Sequence, residues 1–258
     1  MSQGGLMGRV AVVTGAGTGL GMAITRALAE AGASLLLHYR SSAGSLEALA
    51  EECRAMGRRV ETKQADFAAD PGLAAEVVDT AVERLGRIDI LVNNAAVTTK
   101  MGAFESFSRE VFEETLAVNV TAPFLATQAA ARHMIAAGRG GRIINIGSAH
   151  ARVSAPGAVA YETSKGGIVA LTTASAINLG QHGITVNCVG PGAIVVERYD
   201  DLSWDEDWYV SRTPVGRNGR PEDIAGIVRF LAGDEAGFIS AETIYVDGGM
   251  TRRMSLVK

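Results

Sequence analysis

Short apolar runs alternate with longer alanine-rich segments along most of the chain. The runs are rich in Val, Ile and Leu, which is typical of strands buried on both faces, and they lie at residues 10–13, 35–37, 88–92, 143–146, 184–189 and 243–246. Helical periodicity between them predicts helices over residues 20–31, 45–56, 73–85, 122–137 and 160–179. Because parallel strands are joined by crossover helices, this order predicts an α/β fold, a doubly wound parallel sheet with helices on both faces.

The chain has the size of one large domain. Its 258 residues include 47% hydrophobic residues, which is enough for a sizeable buried core. No linker, repeat or low-complexity stretch divides it, so we predict a single domain over residues 1–258. Residues 195–218 break the alternation because they are polar, aromatic and acidic, and we predict a substrate flap there.

Charge, hydropathy and cysteine content argue against several classes of protein. The net charge is -4 and no basic run is present, which argues against a nucleic-acid-binding protein. No stretch reaches the roughly 18 apolar residues of a membrane span, and the first residues lack a secretory pattern, so we expect no membrane association and a cytoplasmic location. Cys53 and Cys188 are too few for a disulfide framework or a metal cluster, so we expect no metal.

A glycine-rich stretch follows the first predicted strand and precedes the first predicted helix. In "VAVVTGAGTGLGMAI" the glycines are Gly15, Gly17, Gly19 and Gly21. Glycine lets the backbone approach a pyrophosphate, and the free N–H groups of a helix N-terminus favour its negative charge. The spacing T-G-x-x-x-G-x-G differs from the G-x-G-x-x-G fingerprint. We predict a dinucleotide site here, with a glycine-rich turn that binds no ligand as the alternative.

The stretch "YETSK" places Tyr161 four residues before Lys165. In a helix this spacing puts both side chains on one face, one turn apart. The ordinary pKa of a phenol is about 10, which is too high for proton transfer near neutral pH. A nearby ammonium favours the phenolate and lowers that pKa, so the pair predicts an acid–base catalyst.

These motifs and four further ones follow one another at intervals that resemble the short-chain dehydrogenase/reductase family. The matching positions are residues 14–21, Asn93-Asn94-Ala95, Asn119, Ser148, Tyr161 with Lys165, and Pro191-Gly192. The resemblance extends from about Gly8 to Gly249. It implies a Rossmann-like fold, hydride transfer between a nicotinamide cofactor and a carbonyl or secondary alcohol, and a homotetramer.

The resemblance also implies the roles of the catalytic residues. Tyr161 is the acid or base, and Ser148 hydrogen-bonds the reacting oxygen as its charge develops. Asn119 anchors a water relay toward Lys165. The structural alternatives are a helix cap or turn for Ser148 and a helix-interior hydrogen bond for Asn119.

The same resemblance implies a set of cofactor contacts. Most of them lie in the glycine loop and just after the predicted strands, and the full set is Gly15, Gly17, Thr18, Gly19, Leu20, Gly21, Tyr39, Arg40, Ser41, Asp66, Phe67, Asn93, Ala95, Tyr161, Lys165, Pro191, Gly192 and Ile194. Two positions depart from the family pattern. Ala96 replaces a more common glycine, and Val196 stands where a threonine often holds the nicotinamide carboxamide. That contact therefore has to come from backbone groups near Ile194 or from elsewhere.

The end of the second predicted strand bears on the choice of cofactor. An NAD-preferring site usually has an acid there, about 20 residues beyond the glycine loop. In "LLLHYRSS", Tyr39 stands at that position and Arg40 follows, and a guanidinium suits the extra phosphate of NADP. We predict a preference for NADP(H). NAD(H) use stays open because Thr18 occupies a position where many NADP enzymes of the family carry a second base, and the alternative for Arg40 is a solvated strand-end residue.

Several substrate classes fit the resemblance, namely sugars or polyols, 3-oxoacyl groups on a carrier protein, and ketones in general. An acidic carrier protein favours basic residues at the pocket mouth, whereas "DDLSWDEDWYV" is strongly acidic. "SAHA" resembles glucose-type dehydrogenases in which a histidine lines the sugar site, which makes His150 a candidate beside a plain loop histidine. Trp204 and Trp208 are spaced to share one face of a short lid helix or to pack against a neighbouring subunit.

A different class of function is a regulator that senses NADP without turning it over. Such a protein would be expected to lose Ser148, Tyr161 or Lys165, and all three are present. We therefore predict an enzyme whose partners are a small-molecule carbonyl or alcohol and further copies of itself.

Overall fold

The computed structural model describes residues 5–98, 101–196 and 205–253. Within these ranges, seven strands form one parallel sheet: β1 (Val10–Val13), β2 (Ser34–Tyr39), β3 (Val60–Gln64), β4 (Ile90–Asn93), β5 (Gly141–Ile146), β6 (Ile184–Pro191) and β7 (Thr243–Val246). Their order across the sheet is β3-β2-β1-β4-β5-β6-β7. The structure thus confirms the predicted Rossmann-like parallel sheet.

Helices cover both faces of the sheet. The described ranges contain α1 (Gly19–Glu30), α2 (Ala43–Ala55), α3 (Leu73–Leu85), α4 (Arg109–Leu116), α5 (Ala122–Ala137), α6 (Val159–Leu179), α7 (Glu206–Arg212) and α8 (Pro221–Ala232). One buried core joins the sheet to α1, α2 and α8, and a second joins it to α3, α5 and α6. Successive β1 residues alternate between the two cores, with Val12 in one and Val13 in the other, as a strand buried on both faces requires.

The sequence analysis did not predict β3, α4 or α8, whereas α7 contains Trp208, for which a short lid helix was one of the two interpretations. Strand β3 has the polar sequence VETKQ and lies at the sheet edge, where β2 is its one neighbour, so it lacks the apolar run of a central strand. Helix α8 begins at Pro221, and the Asp223 carboxylate accepts a hydrogen bond from the Arg220 backbone N–H at 2.7 Å. Proline and an acid in the first turn are start signals that the sequence carries.

The strand order reverses direction between β1 and β4, and this reversal positions the site. Neighbouring crossovers leave for opposite faces there, so a crevice opens at the carboxyl ends of the strands. Segments that follow β1, β2, β4, β5 and β6 all converge on this edge, and they carry most of the predicted site residues.

Neither a membrane-spanning helix nor a cluster of metal-binding side chains is found within residues 5–98, 101–196 and 205–253. No helix in these ranges is long and apolar enough to cross a bilayer. No group of three His, Cys, Asp or Glu side chains in them could hold a metal ion. Cys53 and Cys188 are both buried free thiols.

Candidate active site

The glycine loop, residues 14–21, is fastened to the end of β4 by side-chain hydrogen bonds. The Thr14 hydroxyl accepts hydrogen bonds from the backbone N–H groups of Asn94 (2.9 Å) and Ala95 (3.0 Å). The Asn94 side-chain amide donates to the carbonyls of Thr14 and Gly15, both at 2.9 Å. Asn94 was absent from the predicted contact set, although the "NNA" motif that signals it was recognised.

Two glycines in this loop are required by close backbone approach. A Cβ on Gly21 would lie 2.1 Å from the Gly15 carbonyl oxygen, so no side chain fits there. Gly15 itself has a φ of +63°, and a Cβ on it would lie 2.9 Å from the Ala95 Cα. The loop therefore presents bare backbone and the N-terminus of α1, and this donor set fits a dinucleotide pyrophosphate.

His38 is a second support of the loop, and the sequence analysis did not identify it. Its Nδ1 accepts a hydrogen bond from the Gly15 N–H at 3.1 Å, and its Nε2 lies 3.1 Å from the Ala65 carbonyl. The ring stacks on Phe67 with 4.1 Å between centroids. Burial lowers the pKa of His38 to about 4, so the imidazole is neutral and, by these partners, carries its proton on Nε2.

The end of β2 presents polar groups without a competing acid. Arg40 is exposed, and its guanidinium has no hydrogen-bond or ion-pair partner among the described residues, while its carbonyl accepts a hydrogen bond from the Gln64 side chain at 2.9 Å. The first turn of α2, which follows Ser41, contains no acidic residue. Tyr39 is half-buried beside Arg40, and Thr18 is exposed at the N-cap of α1. A phosphate could therefore approach Arg40 without facing a carboxylate of this turn.

Three other predicted cofactor residues, Asp66, Phe67 and Asn93, differ in the burial and contacts of their side chains. Phe67 is buried, and Asp66 is exposed with its carboxylate accepting from the Ala68 N–H. The buried Asn93 amide donates to Thr127 Oγ1 (3.2 Å) and Asn145 Oδ1 (2.8 Å). Any Asn93 contact with a cofactor would therefore use its main chain.

After β6 the backbone turns and forms an isolated β-bridge. Gly192 donates its N–H to the Val246 carbonyl at 3.0 Å, which fixes the exit from Pro191. The buried Ile194 pairs with Gly219 in an isolated parallel bridge. A Cβ on Gly19 would lie 3.5 Å from Val196 Cγ1, so the residue that replaces the family's threonine lies beside the glycine loop.

Tyr161 and Lys165 lie one turn apart near the start of α6. Lys165 is buried, and its ammonium donates a hydrogen bond to the Ile146 carbonyl at 2.9 Å. Its Nζ lies 5.5 Å from the centre of the Tyr161 ring. Burial lowers the pKa of Lys165 to about 8, which leaves the amine charged near neutral pH.

Ser148 lies two residues beyond β5 and is buried. Its Oγ accepts a hydrogen bond from the His150 N–H at 3.1 Å, so it caps the short 3₁₀ helix Ala149–Ala151. The hydroxyl proton has no acceptor among the described residues and is free to point at a reacting oxygen. Capping and catalysis are therefore compatible at this residue.

Asn119 is buried in a π-helical turn, Ala117–Thr121. Its side chain bonds outside this turn, accepting from the Val97 N–H at 2.8 Å and donating to the Val97 carbonyl and Ser164 Oγ at 3.0 Å each. π-turns leave the helical ladder irregular and are frequent at functional sites. Contact between Asn119 and a water relay would therefore use its main chain, because its side-chain amide ties α6 to the segment after β4.

The candidate substrate residues lie in two places. His150 is half-buried, its ring meets the Tyr161 ring edge-on with 5.9 Å between centroids, and its Nδ1 lies 2.9 Å from Glu162 Oε1. Trp208 is exposed on α7, and the Arg212 guanidinium lies 3.9 Å from the centre of its ring. Trp204 and residues 197–203 of the predicted flap lie outside the described residues.

An open cavity of about 470 Å³ adjoins His150. It is lined by the segment after Ser148 and by the start of α6, and its side chains include Phe104, His150, Ser154, Glu162 and Thr163. His150 therefore contacts the Tyr161 ring and also lines this cavity.

Comparison with known proteins gives a consistent result. Residues 15–251 match the family model described as enoyl-(acyl carrier protein) reductase. An L-rhamnose 1-dehydrogenase (NAD(P)(+)) from Sphingomonas sp. is 38% identical over 248 residues, covering 95% of this chain and 97% of that protein. A 3-oxoacyl-[acyl-carrier-protein] reductase from Synechocystis sp. is 35% identical over 246 residues, covering 95% of this chain and 98% of that protein.

Solved structures agree with these relatives. A short-chain dehydrogenase/reductase from Serratia marcescens has 41% identity and a TM-score of 0.89, covering 95% of this chain and 99% of that one. A gluconate 5-dehydrogenase from Burkholderia cenocepacia, in complex with NADP and tartrate, has 33% identity and a TM-score of 0.88, covering 96% and 97% of the two chains.

Proposed function

Because the chain belongs to the short-chain dehydrogenase/reductase family of oxidoreductases, we propose that it interconverts a secondary alcohol and a carbonyl of a sugar or polyol, with NADP(H) as the preferred cofactor. The observation that carries this proposal is the Tyr161–Lys165 pair at the start of α6, with Ser148 at the adjoining end of β5. The glycine loop that fits a dinucleotide lies at the same edge of the sheet.

The three side chains divide the proton chemistry between them. A bound nicotinamide ring would supply or accept the hydride. During reduction, Tyr161 gives its phenolic proton to the carbonyl oxygen, and Ser148 donates a hydrogen bond to the same oxygen as negative charge develops there. The buried Lys165 ammonium stabilises the phenolate left behind. Oxidation uses the same groups in reverse, with Tyr161 taking the proton of the alcohol.

The preference for NADP(H) rests on the end of β2. Arg40 is an exposed cation without a described partner, and the first turn of α2 has no acid to repel a phosphate. The rhamnose dehydrogenase relative carries both cofactors in its name, and the Burkholderia neighbour was solved with NADP. These similarities favour a phosphate-tolerant site, and Arg40 is our candidate for its cation.

Sugars and polyols are favoured over an acyl-carrier protein by the charge of the flap. Asp205, Glu206 and Asp207 are exposed at the start of α7, where an acidic carrier protein would meet repulsion. The similarity to a 3-oxoacyl reductase makes 3-oxoacyl groups on a carrier protein the alternative substrate class. A small ketone without a carrier needs no such docking surface.

A screen of the purified protein tests this proposal. NADPH or NADH consumption would be followed with a ketone panel, and NADP or NAD reduction with a panel of sugars and alcohols. We expect turnover of hydroxylated substrates with the phosphorylated cofactor, and a rate lower by about 10²- to 10⁴-fold from the Tyr161→Phe variant measured in parallel. Lack of turnover across all panels would contradict the proposed function, whereas turnover of carrier-linked substrates alone would favour the 3-oxoacyl alternative.

We also propose that the protein works as a homotetramer in the cytoplasm. Helices α5 and α6 expose Phe124, Ile135 and Ile177 beside many alanines, and small residues let helices of two subunits pack closely. The free thiols of Cys53 and Cys188 suit a reducing compartment. Light scattering at micromolar concentration tests the assembly, and a monomer would contradict it.

A further inference from the structure

Glu162 and His150 form a hydrogen-bonded pair directly beside Tyr161. Glu162 follows Tyr161 in α6 and is largely buried, with its side chain 15% exposed. Its Oε1 accepts hydrogen bonds from His150 Nδ1 (2.9 Å) and from the Ala155 N–H (2.6 Å). The same carboxylate thus holds both the His150 ring and the loop that carries it.

This contact determines which nitrogen of His150 carries hydrogen. Burial opposes ionisation of Glu162, but hydrogen bonds from the Ala155 backbone and the His150 side chain hold the pKa of Glu162 below its ordinary value, so it is a carboxylate at neutral pH. A carboxylate accepts hydrogen bonds and cannot donate them, so His150 Nδ1 must be the N–H. In the neutral imidazole, Nε2 then has a lone pair and accepts a hydrogen bond.

His150 Nε2 belongs to a ring that contacts Tyr161 and also lines the cavity. His150 Nε2 has no hydrogen-bond partner among the described residues, and the ring both meets Tyr161 edge-on and lines the 470 Å³ cavity. A substrate oxygen that bonds Ser148 Oγ would lie beside His150, because the His150 backbone N–H is 3.1 Å from that Oγ and its ring centre is 5.9 Å from that of Tyr161. A hydroxyl on the carbon next to the reacting carbon can donate a hydrogen bond to a neutral imidazole nitrogen there.

We propose that Glu162 is a positioning residue that presents His150 as the acceptor for a substrate hydroxyl next to the reacting carbon. The enzyme accordingly selects α-hydroxy ketones and vicinal diols over ketones and alcohols that lack this hydroxyl. This inference rests on the proposed function, because it names the substrate class of the same site.

The test compares pairs of compounds that differ by that one hydroxyl. Reduction of acetoin and of butan-2-one would be measured with NADPH, and oxidation of butane-2,3-diol and of butan-2-ol with NADP. For the wild-type protein we expect kcat/KM to be at least about tenfold higher for the hydroxylated member of each pair, since a site built around a hydrogen bond rejects analogues that cannot make it.

Three variants assign this selectivity to its residues. His150→Phe keeps an aromatic ring beside Tyr161 but removes the acceptor, so the ratio should fall to about 1. Glu162→Ala should lower the ratio in the same way, chiefly by raising KM for acetoin. Glu162→Gln retains an acceptor for the Nδ1 proton and should keep most of the ratio. Glu113→Ala, which breaks an exposed ion pair with Arg109 on α4, is the matched control.

The possible outcomes distinguish failure of this inference from failure of the proposed oxidoreductase function. Equal wild-type kcat/KM for both members of a pair, or equal losses on both members in Glu162→Ala, would overturn the inference and leave the oxidoreductase activity standing. Absence of turnover with all four compounds and with the sugar panel would count against the proposed function itself.

Discussion

The glycine loop and the loop after Ser148 (residues 148–158) lie at the same edge of the sheet but are held in different ways. The glycine loop packs backbone on backbone and is fastened by Thr14, Asn94 and the neutral, buried His38. The loop after Ser148 is held by the Glu162 carboxylate, through the half-exposed His150 and the Ala155 N–H.

This difference separates what is constant in the site from what can vary. A side chain at Gly21 would meet the Gly15 carbonyl, so the glycine loop has no room for a side chain at that position. In the loop after Ser148, the Glu162 side chain contacts both His150 and Ala155 beside an open cavity, so exchanging it should change the substrate surface without moving the glycine loop. We therefore propose that the first region binds the cofactor and that the second determines the substrate.

The largest expected effect tests whether the two regions act separately. Tyr161→Phe removes the proton donor but keeps the ring, so kcat should fall by about 10²- to 10⁴-fold. The dissociation constant for NADPH, measured by fluorescence titration, should change less than twofold because the glycine loop is untouched. Lys165→Ala, which removes the buried cation beside Tyr161, should damage both quantities.

A residual rate would decide against this assignment. If Tyr161→Phe kept a tenth or more of wild-type kcat, the loss would be only about 1.4 kcal/mol of transition-state stabilisation. A proton donor with so small an effect could not be the catalytic acid.

The next effect concerns the cofactor side alone. A charge-assisted guanidinium contact contributes about 1.5 to 3 kcal/mol, so Arg40→Ala should weaken NADP binding about 10- to 150-fold. NAD has only a hydroxyl at that position, and its binding should change little. The measurement is the ratio of kcat/KM for the two cofactors before and after the substitution.

A second substitution sharpens this test. Tyr39→Asp introduces the acid that an NAD site usually has, and it should shift the ratio toward NAD. A wild-type preference for NAD, or a ratio that Arg40→Ala leaves within twofold, would show that the phosphate contact lies elsewhere.

A smaller effect tests how tightly the glycine loop is packed. Gly21→Ala places a methyl group 2.1 Å from a backbone carbonyl and should cost about 1–3 kcal/mol of folding free energy. Gly44→Ala is the control, because it lies in α2 with nothing within 4 Å of the added methyl group. It should be neutral or stabilising by about 0.5–1 kcal/mol. Urea unfolding with equal m-values would measure both, and equal stabilities would contradict the backbone packing.

The sequence predicted those parts of the fold and site whose signals are local. The runs at residues 10–13 and 143–146 lie in β1 and β5 because the central strands of a parallel sheet are apolar. Strand β3 was missed because an edge strand can be polar. The Tyr161–Lys165 pair was visible because one helical turn separates its members.

Hydrogen bonds between residues that are distant in sequence leave no such local pattern. Asn94 meets Gly15 across 79 positions of sequence, and His38 meets Ala65 across 27. Glu162 is a first-turn acid of α6, and its sequence position alone indicates only a favourable charge near a helix N-terminus. Its contact with His150 depends on how the loop after Ser148 folds back, which only the tertiary structure shows.

The smallest expected effect is at Lys165, which is buried against the Ile146 carbonyl and the Tyr161 ring. Burial lowers the pKa of this residue from 10.5 to about 8, so its positive charge is present below that pH and is lost as the pH rises through it. A hydrogen bond from a charged donor contributes about 0.5–1.5 kcal/mol more than one from a neutral donor, so cofactor binding should weaken about 2- to 10-fold between pH 7 and pH 9. Lys165→Met should bind more weakly at pH 7 and lack this dependence. Isothermal titration at the two pH values measures the change in cofactor affinity. An equal pH dependence in wild type and variant would show that another group titrates. Lys165 would then not carry the charge that contributes to cofactor binding.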